Sequence, residues 1–336
     1  MKSYHLTPGT GLAGLTIREH KDPEPGPGQV LVRMRASALS YRELLVLTGD
    51  YPLPIRPDVI PGCAGAGEVV AVGAGVDRVA PGDRVAASVF PHWIDGPFAW
   101  EYAAQLGSSL DGTLTELGLF GEQGLVPIPD HLSYEEAATL PLTALTAWNA
   151  LTGGRPLRAG ETVLTLGTGD VSLFAVRFAK LSGARVLATT SSADRARRLR
   201  ELGADEVIDY AETPAWHEAV RAHTGGRGVD HVVHVAGSLD QSVRATAIEG
   251  EVAFVGNWLG RETATPLSEA TLFASAARIR PIAVGSRAQF AAMNAAVAAH
   301  DVHPSIDRVF PFAEAHAAFR YRETAGPFGS VIIAHP

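Results

Sequence analysis

Thr162-Val163-Leu164-Thr165-Leu166-Gly167-Thr168-Gly169-Asp170-Val171-Ser172 is the stretch that decides the fold. Five residues of strand-like texture run straight into Gly-x-Gly, and the apolar pattern Val171–Leu181 begins a helix immediately afterwards. A lone Gly-x-Gly carries little information; this one is held between a strand and a helix. In such a turn the first glycine permits the tight bend and the second lets the backbone approach a ligand. The free N–H groups at the helix start then face an anion. That arrangement suits the pyrophosphate of a dinucleotide. Ser172 stands where a third glycine is usual and is still small enough for close helix–strand packing. Asp170 is unusual, because its carboxylate opposes a bound pyrophosphate, although it could also serve as N-cap of the following helix.

Outward from this turn, strand and helix patterns alternate. Candidate strands are Thr162–Leu166, Arg185–Thr189, Glu206–Ile208, His231–Val235, Val252–Val255 and Ile279–Val284, with helices such as Val171–Leu181 and Ala193–Leu202 between them. This succession predicts a parallel, doubly wound sheet covered on both faces. Ser133-Tyr134-Glu135-Glu136 opens the helical region with a capping box. Residues before 126 read differently: short apolar runs (Gln29–Met34, Gly67–Val72, Asp83–Ala87, Gly124–Ile128) punctuated by Gly and Pro, as in antiparallel hairpins. Pro81-Gly82-Asp83 is the clearest turn. After Gly285 come a helix (Arg287–His300), a short strand (Ile306–Phe310), a helix (Ala313–Tyr321) and a last strand (Ser330–Ala334). These are too few to form a domain and are expected to rejoin the first one. The expected division is therefore 1–126 with 287–336, and 127–286.

The second strand of the parallel sheet ends in Thr189-Thr190-Ser191-Ser192. A fold selective for NAD places a carboxylate there to bind the ribose 2′-hydroxyl. Here there are hydroxyls, with Arg195, Arg197 and Arg198 close behind, which favours the 2′-phosphate of NADPH over NADH. Thr190, Ser191 and Arg195 are the candidates for that contact, and Gly167, Gly169, Asp170 and Val171 for the pyrophosphate.

The chain has 336 residues and a formal charge of −8, so it has no general attraction to nucleic acid or to anionic membranes. Cys63 is the only cysteine, which excludes an internal disulfide and any zinc site built from several thiolates. No apolar stretch approaches the roughly 20 residues that span a bilayer, and the start Met1-Lys2-Ser3-Tyr4-His5 lacks a signal-peptide core. A cytoplasmic setting is expected.

Several stretches together resemble the medium-chain dehydrogenase/reductase superfamily, in particular its zinc-lacking quinone-reductase-like and zinc-type-alcohol-dehydrogenase-like members. They are residues 25–32 (PGPGQVLV), 61–70 (PGCAGAGEVV), 81–85 (PGDRV), 137–141 (AATLP), 145–148 (LTAW), the glycine loop, 202–205 (LGAD) and 225–230 (GGRGVD). The resemblance implies a GroES-like catalytic domain formed by both chain ends, an inserted Rossmann domain, an active-site cleft at their junction, and a homodimer. The strand Ile279–Val284 is then a plausible pairing edge.

Zinc-dependent members carry Gly-His-Glu where this chain has Gly62-Cys63-Ala64, and their other catalytic cysteine positions fall near Ser37 and Leu142. A catalytic zinc needs about three protein ligands, so no zinc is expected and Cys63 reads as a small buried residue. Without a Lewis acid, the negative charge that builds up on hydride transfer must be met by a hydroxyl or imidazole donor, or spread into a conjugated substrate. Candidate donors cluster in Ser40-Tyr41-Arg42-Glu43 and Gly49-Asp50-Tyr51-Pro52. In enoyl-reductase relatives the second tyrosine is the proposed proton donor, which marks Tyr51, with Ser40 and Tyr41 beside it. His92, next to Trp93 on an aromatic loop, is a further candidate for substrate contact. His231 and His234 lie three apart on one strand and face opposite sides of the sheet. His234, near the strand's carboxyl end, is placed toward the nicotinamide half of the cofactor. Family position adds Thr146 near the nicotinamide, Tyr210 near the adenine, the strand-end residues Val235, Ala236 and Gly256, and Phe328. The expected activity is NADPH-dependent, zinc-independent hydride transfer to a quinone, a conjugated enone or a small carbonyl compound. The alternative is a dinucleotide-binding redox sensor with little catalysis.

Overall fold

The computed structural model describes residues 1–256 and 266–336. These form two compact units, Met1–Leu145 with Val284–Pro336, and Thr146–Ala283. Strands β1 (Lys2–Leu6), β2 (Leu15–Glu19) and β3 (Gln29–Leu39) open the first unit, followed by helix α1 (Tyr41–Thr48). Strands β4 (Gly65–Val72), β5 (Arg84–Ala87), β6 (Leu117–Gly121) and β7 (Leu125–Pro127) and helix α2 (Tyr134–Ala137) come next. Strand β3 is the spine of this unit. It pairs antiparallel with β4 along one side, while β6 takes the first half of its other side, from Gln29↔Gly121 to Arg33↔Leu117. The β4–β5 connection closes on Ala80–Asp83, where the Asp83 N–H bonds the Ala80 carbonyl and Gly82 sits at φ +96°. With Pro81 before it, this is a turn that only glycine fits comfortably at its third position.

Helix α3 (Leu145–Thr152) leads into the second unit. Its elements are β8 (Thr162–Leu166), α4 (Asp170–Leu181), β9 (Arg185–Thr190), α5 (Ala193–Glu201), β10 (Glu206–Asp209), α6 (Trp216–His223), β11 (Val229–His234), α7 (Leu239–Ala245), β12 (Thr246–Phe254), α8 (Glu269–Ser275) and β13 (Arg278–Pro281). All the strand pairs are parallel and the sheet runs β10-β9-β8-β11-β12-β13. Strand order therefore reverses between β8 and β11, as in a doubly wound dinucleotide fold. Every residue of β8 and β11 is buried, so neither strand shows an alternation of buried and exposed positions.

Helix α9 (Arg287–Ala299), strand β14 (Ile306–Pro311), helix α10 (Ala315–Thr324) and strand β15 (Ser330–Ala334) return to the first unit. Strand β15 pairs antiparallel with the second half of β3, Val331↔Leu39 to Ala334↔Ala36, and so completes its sheet. The compact units break at 145/146 and 283/284, away from the sequence-based boundaries. The reason is that α2, capped by Ser133 and Glu136 as expected, packs on β3, β4 and β15 rather than on the parallel sheet. Four elements of the first unit escaped the reading altogether. The β1–β2 hairpin and β6 lack a clean alternation, and α1 is only eight residues long. The expected strand Ile279–Val284 ends early, at Pro281, and Val284 lies at φ +48°.

His234, expected toward the nicotinamide half, is packed within the second unit. It is fully buried, its Nδ1 lies 2.8 Å from Ser242 Oγ, and its ring stacks on Phe254 at 5.3 Å between centroids. Burial pushes its pKa down to about 4, so the ring is neutral in the fold. In the unfolded chain the same histidine titrates near 6.5. Protons then bind preferentially to the unfolded state, and stability falls as pH drops from about 6.5 toward 4, by at most about 3 kcal/mol for this one group. Urea unfolding at pH 7 and pH 4.5 checks this: His234→Phe should flatten the pH dependence, and an unchanged slope would remove His234 as its source.

Candidate active site

In the second unit, the glycine loop sits at the carboxyl end of β8, at the reversal of strand order. Gly167 adopts φ +71°, and its N–H bonds the Thr189 carbonyl at 3.0 Å, tying the loop to the end of β9. A Cβ placed on Gly167 or on Gly169 would meet no described atom within 4 Å. The space above both residues is therefore open, in contrast to Gly67 or Gly73, whose backbones lie against other chain segments. The first-turn amides of α4 have no intrahelical acceptor, as at any helix start. Ser172 Oγ bonds the Leu166 carbonyl at 2.7 Å and anchors the helix to the strand it follows. These features fit a bound pyrophosphate. Asp170, expected as a possible N-cap, is instead the first residue of α4, with Gly169 at the cap and no side-chain capping bond. Its side chain is buried, with Val171 half-buried after it.

At the end of β9, Thr190 is buried, Ser191 is exposed, and Ser192 caps α5 by accepting the Arg195 N–H. The three arginines behind it differ. Arg197 is held by Asp194 and Glu201, each at 2.7 Å, so it belongs to the solvated helix face. Arg195 is half-buried at the first turn of the same helix. Tyr210 follows β10, is 44% exposed, and its N–H bonds the Thr190 carbonyl. Ser191, Arg195 and Tyr210 thus share the carboxyl edge of β9 and β10. Nearby Asp209 accepts the Ala211 N–H. Val235 and Ala236 follow β11 half-buried, and Gly256 follows β12 at φ +137°. Thr146 is buried in α3.

The first unit holds a separate polar cluster. Ser40 caps α1 in a capping box with Glu43, and its hydroxyl also donates to the Glu43 carboxylate. Glu43 is buried, pairs with Arg42 at 3.2 Å, and accepts the Cys63 N–H at 3.3 Å. Burial opposes the charge of Glu43, but Arg42 and the bonds from Cys63 and Ser40 hold its carboxyl below the usual range. The guanidinium of Arg42 lies 4.7 Å from the centre of the Tyr51 ring and also bonds the Leu106 carbonyl. Tyr51 donates its hydroxyl to Gln105 Oε1 at 3.0 Å. The buried Gln105 Nε2 has no hydrogen-bond partner among the described residues.

The fold thus brings Ser40 and Tyr51 into one network. Their bridging residues were not singled out from sequence: Arg42 and Glu43 lay within a quoted motif, while Gln105 sits in a loop with no pattern to mark it. Tyr41 packs instead against the apolar cluster around Leu44 and Leu47. His92 is exposed on its loop, and the adjacent Trp93 is buried against Phe90 and Phe98. Phe328, also in the first unit, is buried with its N–H on Asp307 Oδ1 at 3.1 Å.

The residues at the family's zinc positions do not suit that ion. Ser37 Oγ bonds Thr113 Oγ1 at 2.8 Å and touches His335 Nε2 at 3.0 Å. Burial, with Glu43 beside it, pushes the Cys63 thiol well above its ordinary range, so it remains a neutral thiol rather than a thiolate ligand. The neighbouring guanidinium of Arg42 further disfavours a cation there.

Residues 26–130 match the alcohol dehydrogenase GroES-like domain, and residues 171–299 match the zinc-binding dehydrogenase domain. A zinc-type alcohol dehydrogenase-like protein of Schizosaccharomyces pombe is 37% identical over 333 residues, 96% of each chain. A quinone oxidoreductase of Pseudomonas aeruginosa is 38% identical over 198 residues, 59% of this chain and 55% of the other. A mycobacterial protein solved in complex with NADPH superposes with a TM-score of 0.82 at 27% identity, covering 99% of both chains. A GroES-like domain, a Rossmann-type parallel sheet with its open glycine loop and a relative alike over nearly the whole length have one reading: the chain is an oxidoreductase of the medium-chain dehydrogenase/reductase superfamily.

Proposed function

We propose that this protein is an NADPH-dependent oxidoreductase that reduces a quinone, a conjugated enone or a small carbonyl compound without a catalytic metal. The observation that carries the reading is the carboxyl edge of β8 and β9. There, an open Gly167–Gly169 loop stands beside Ser191 and Arg195, while the neighbouring carboxylates Asp194 and Asp209 are engaged by Arg197 and by the Ala211 N–H. Hydroxyl and cation suit a 2′-phosphate. The NADPH-bound structural relative and the quinone oxidoreductase relative support the same cofactor and substrate class.

The dinucleotide supplies a hydride when bound. On this chain's side, the first-turn amides of α4 would hold the pyrophosphate, Arg195 and Ser191 would hold the 2′-phosphate, and Tyr210 would contact the adenine. Thr146, Val235, Ala236 and Gly256 line the remainder, and Phe328 is assigned to the cofactor by family position. Tyr51 is the proton donor to the reduced substrate. Arg42 and Gln105 are positioning residues: the first holds the face of the ring and the second holds its hydroxyl. Ser40 acts through Glu43, and His92 and Tyr41 contribute at most to substrate contact. A conjugated acceptor suits such a site, because its charge spreads over several atoms and a single neutral donor suffices. A homodimer forms by pairing of β13, which among the described residues is one of the two edge strands of the parallel sheet, β10 being the other.

NADPH consumption measured against quinones, enones and aldehydes, before and after chelator dialysis, tests the reading. Turnover that survives chelation is expected; tight NADPH binding without turnover on any substrate would favour a redox sensor instead. Gly169→Ala should lower the thermal midpoint only slightly, since the added methyl meets no described atom and the cost is confined to the N-cap of α4, yet weaken NADPH binding at least about tenfold by intruding on the pyrophosphate. Equal binding in a fluorescence titration would move the cofactor elsewhere. Arg195→Ala should raise the KM for NADPH about 10- to 100-fold, the scale of one hydrogen bond to a charged group, and leave that for NADH nearly unchanged. A parallel loss for both cofactors would argue against a 2′-phosphate contact. Tyr51→Phe should lower kcat for an enone by about 10²-fold or more at unchanged NADPH affinity, and full activity would remove Tyr51 from proton transfer.

A further inference from the structure

Away from both clusters, four side chains distant in sequence converge within the first unit. His131 lies in the loop before α2, Glu136 is in α2, and Asp301 and His303 follow α9. His131 Nε2 lies 3.8 Å and His303 Nε2 3.7 Å from the same Asp301 oxygen, Oδ1. The two imidazoles meet edge to face at 5.2 Å between centroids. One ligand atom from each of the three residues lies within 4.8 Å of the other two. A tetrahedral ion with ligands at about 2.0–2.2 Å requires neighbouring donors about 3.3–3.6 Å apart. The observed spacing needs only a small closure to reach that.

The second layer points the same way. His303 Nδ1 lies 2.7 Å from Glu136 Oε1, which favours the proton on Nδ1 and leaves the Nε2 lone pair directed at Asp301. The other Glu136 oxygen accepts the Ser133 N–H, so the carboxylate is held by the capping box and is not a loose surface group. His131 Nε2 also sits 3.3 Å from the Val302 carbonyl, a long contact that it would exchange for the ion. His303 and Asp301 are 48% and 79% exposed, so solvent has direct access and water can complete the coordination.

We propose that His131, Asp301 and His303 bind a divalent cation of the zinc class, with Glu136 orienting His303 from behind. Two imidazoles with one carboxylate suit zinc, cobalt or nickel, whereas calcium and magnesium demand more oxygen ligands. The site takes no part in hydride transfer. It ties the segment after α9 to the loop before α2, and so joins the two chain ends that make up the first unit.

The full-length protein, stripped with a chelator, is titrated with Co²⁺. One equivalent with the visible absorption of a tetrahedral ion is expected, without a thiolate-to-metal band in the near ultraviolet. His131→Asn and His303→Asn should each weaken binding at least tenfold, and Cys63→Ala should not. Glu136→Gln keeps a capping-box acceptor and therefore the helix, yet should weaken binding about 10- to 100-fold through the lost orienting carboxylate. Zn²⁺ should raise the thermal midpoint of the wild type and not that of the doubly substituted His131→Asn/His303→Asn protein, whose fold is checked by circular dichroism. No bound equivalent below millimolar Co²⁺, or an equivalent that persists in the histidine variants, overturns the proposal; so does one that disappears only in Cys63→Ala.

Discussion

The pairing of β8 with β11 at the centre of a parallel sheet is the constraint on which the nucleotide-binding unit depends. Parallel strands must be joined by crossovers, and from these two strands the crossovers run to opposite sides, toward β9 and toward β12. Their carboxyl ends are therefore left uncovered by connecting chain. The glycine loop opens there, its Gly167 N–H tied to Thr189 and its helix anchored by Ser172. The edge that carries Ser191, Arg195 and Tyr210 follows from the same geometry, because β9 and β10 continue the sheet on that side.

In the first unit the corresponding element is β3. Its eleven residues accept β4, β6 and β15, so segments from both chain ends share one hydrogen-bonded sheet. The strand leads directly into Ser40 and α1, which deliver Arg42 and Glu43 to a buried position. A buried pair of this kind is costly unless its remaining donors and acceptors are satisfied. Here Ser40, the Cys63 amide, the Leu106 carbonyl and the face of Tyr51 meet most of them, while the buried Arg42 Nε has no hydrogen-bond partner among the described residues. Tyr51 is consequently held in one orientation by a charge network rather than by apolar packing alone. Ser40 and Glu43 also bond one another directly through the capping box.

Much of the second unit was legible from the order of residues. Apolar runs of strand length, Ser and Glu caps and glycines in turns are local signals, and the strand Thr162–Leu166 and the helix after it lie within a residue of where they were expected. The first unit was less legible because its strands are edge-like, bulged or short, and their pairing is set by distant partners: β3 shows register shifts against β4, and β6 contains two glycines. The polar cluster could not be assembled from sequence, since Gln105 and Tyr51 are brought together only by the folding of two separate loops.

The sequence by itself determined the succession of strands and helices, the glycine loop between β8 and α4, and the hydroxyl-and-arginine ending of β9, since each depends on residues within a few positions of one another. Only the tertiary structure decided that Asp170 begins a helix instead of capping it, that His234 is packed inside the sheet, and that Arg197 is spent on its own helix while Arg195 lies half-buried at the first turn. It alone brought His131 to Asp301 and His303. The physical reason is the same in each case: backbone propensity is written locally, whereas burial, ion pairing and convergence of side chains depend on which distant segments the packed core places side by side.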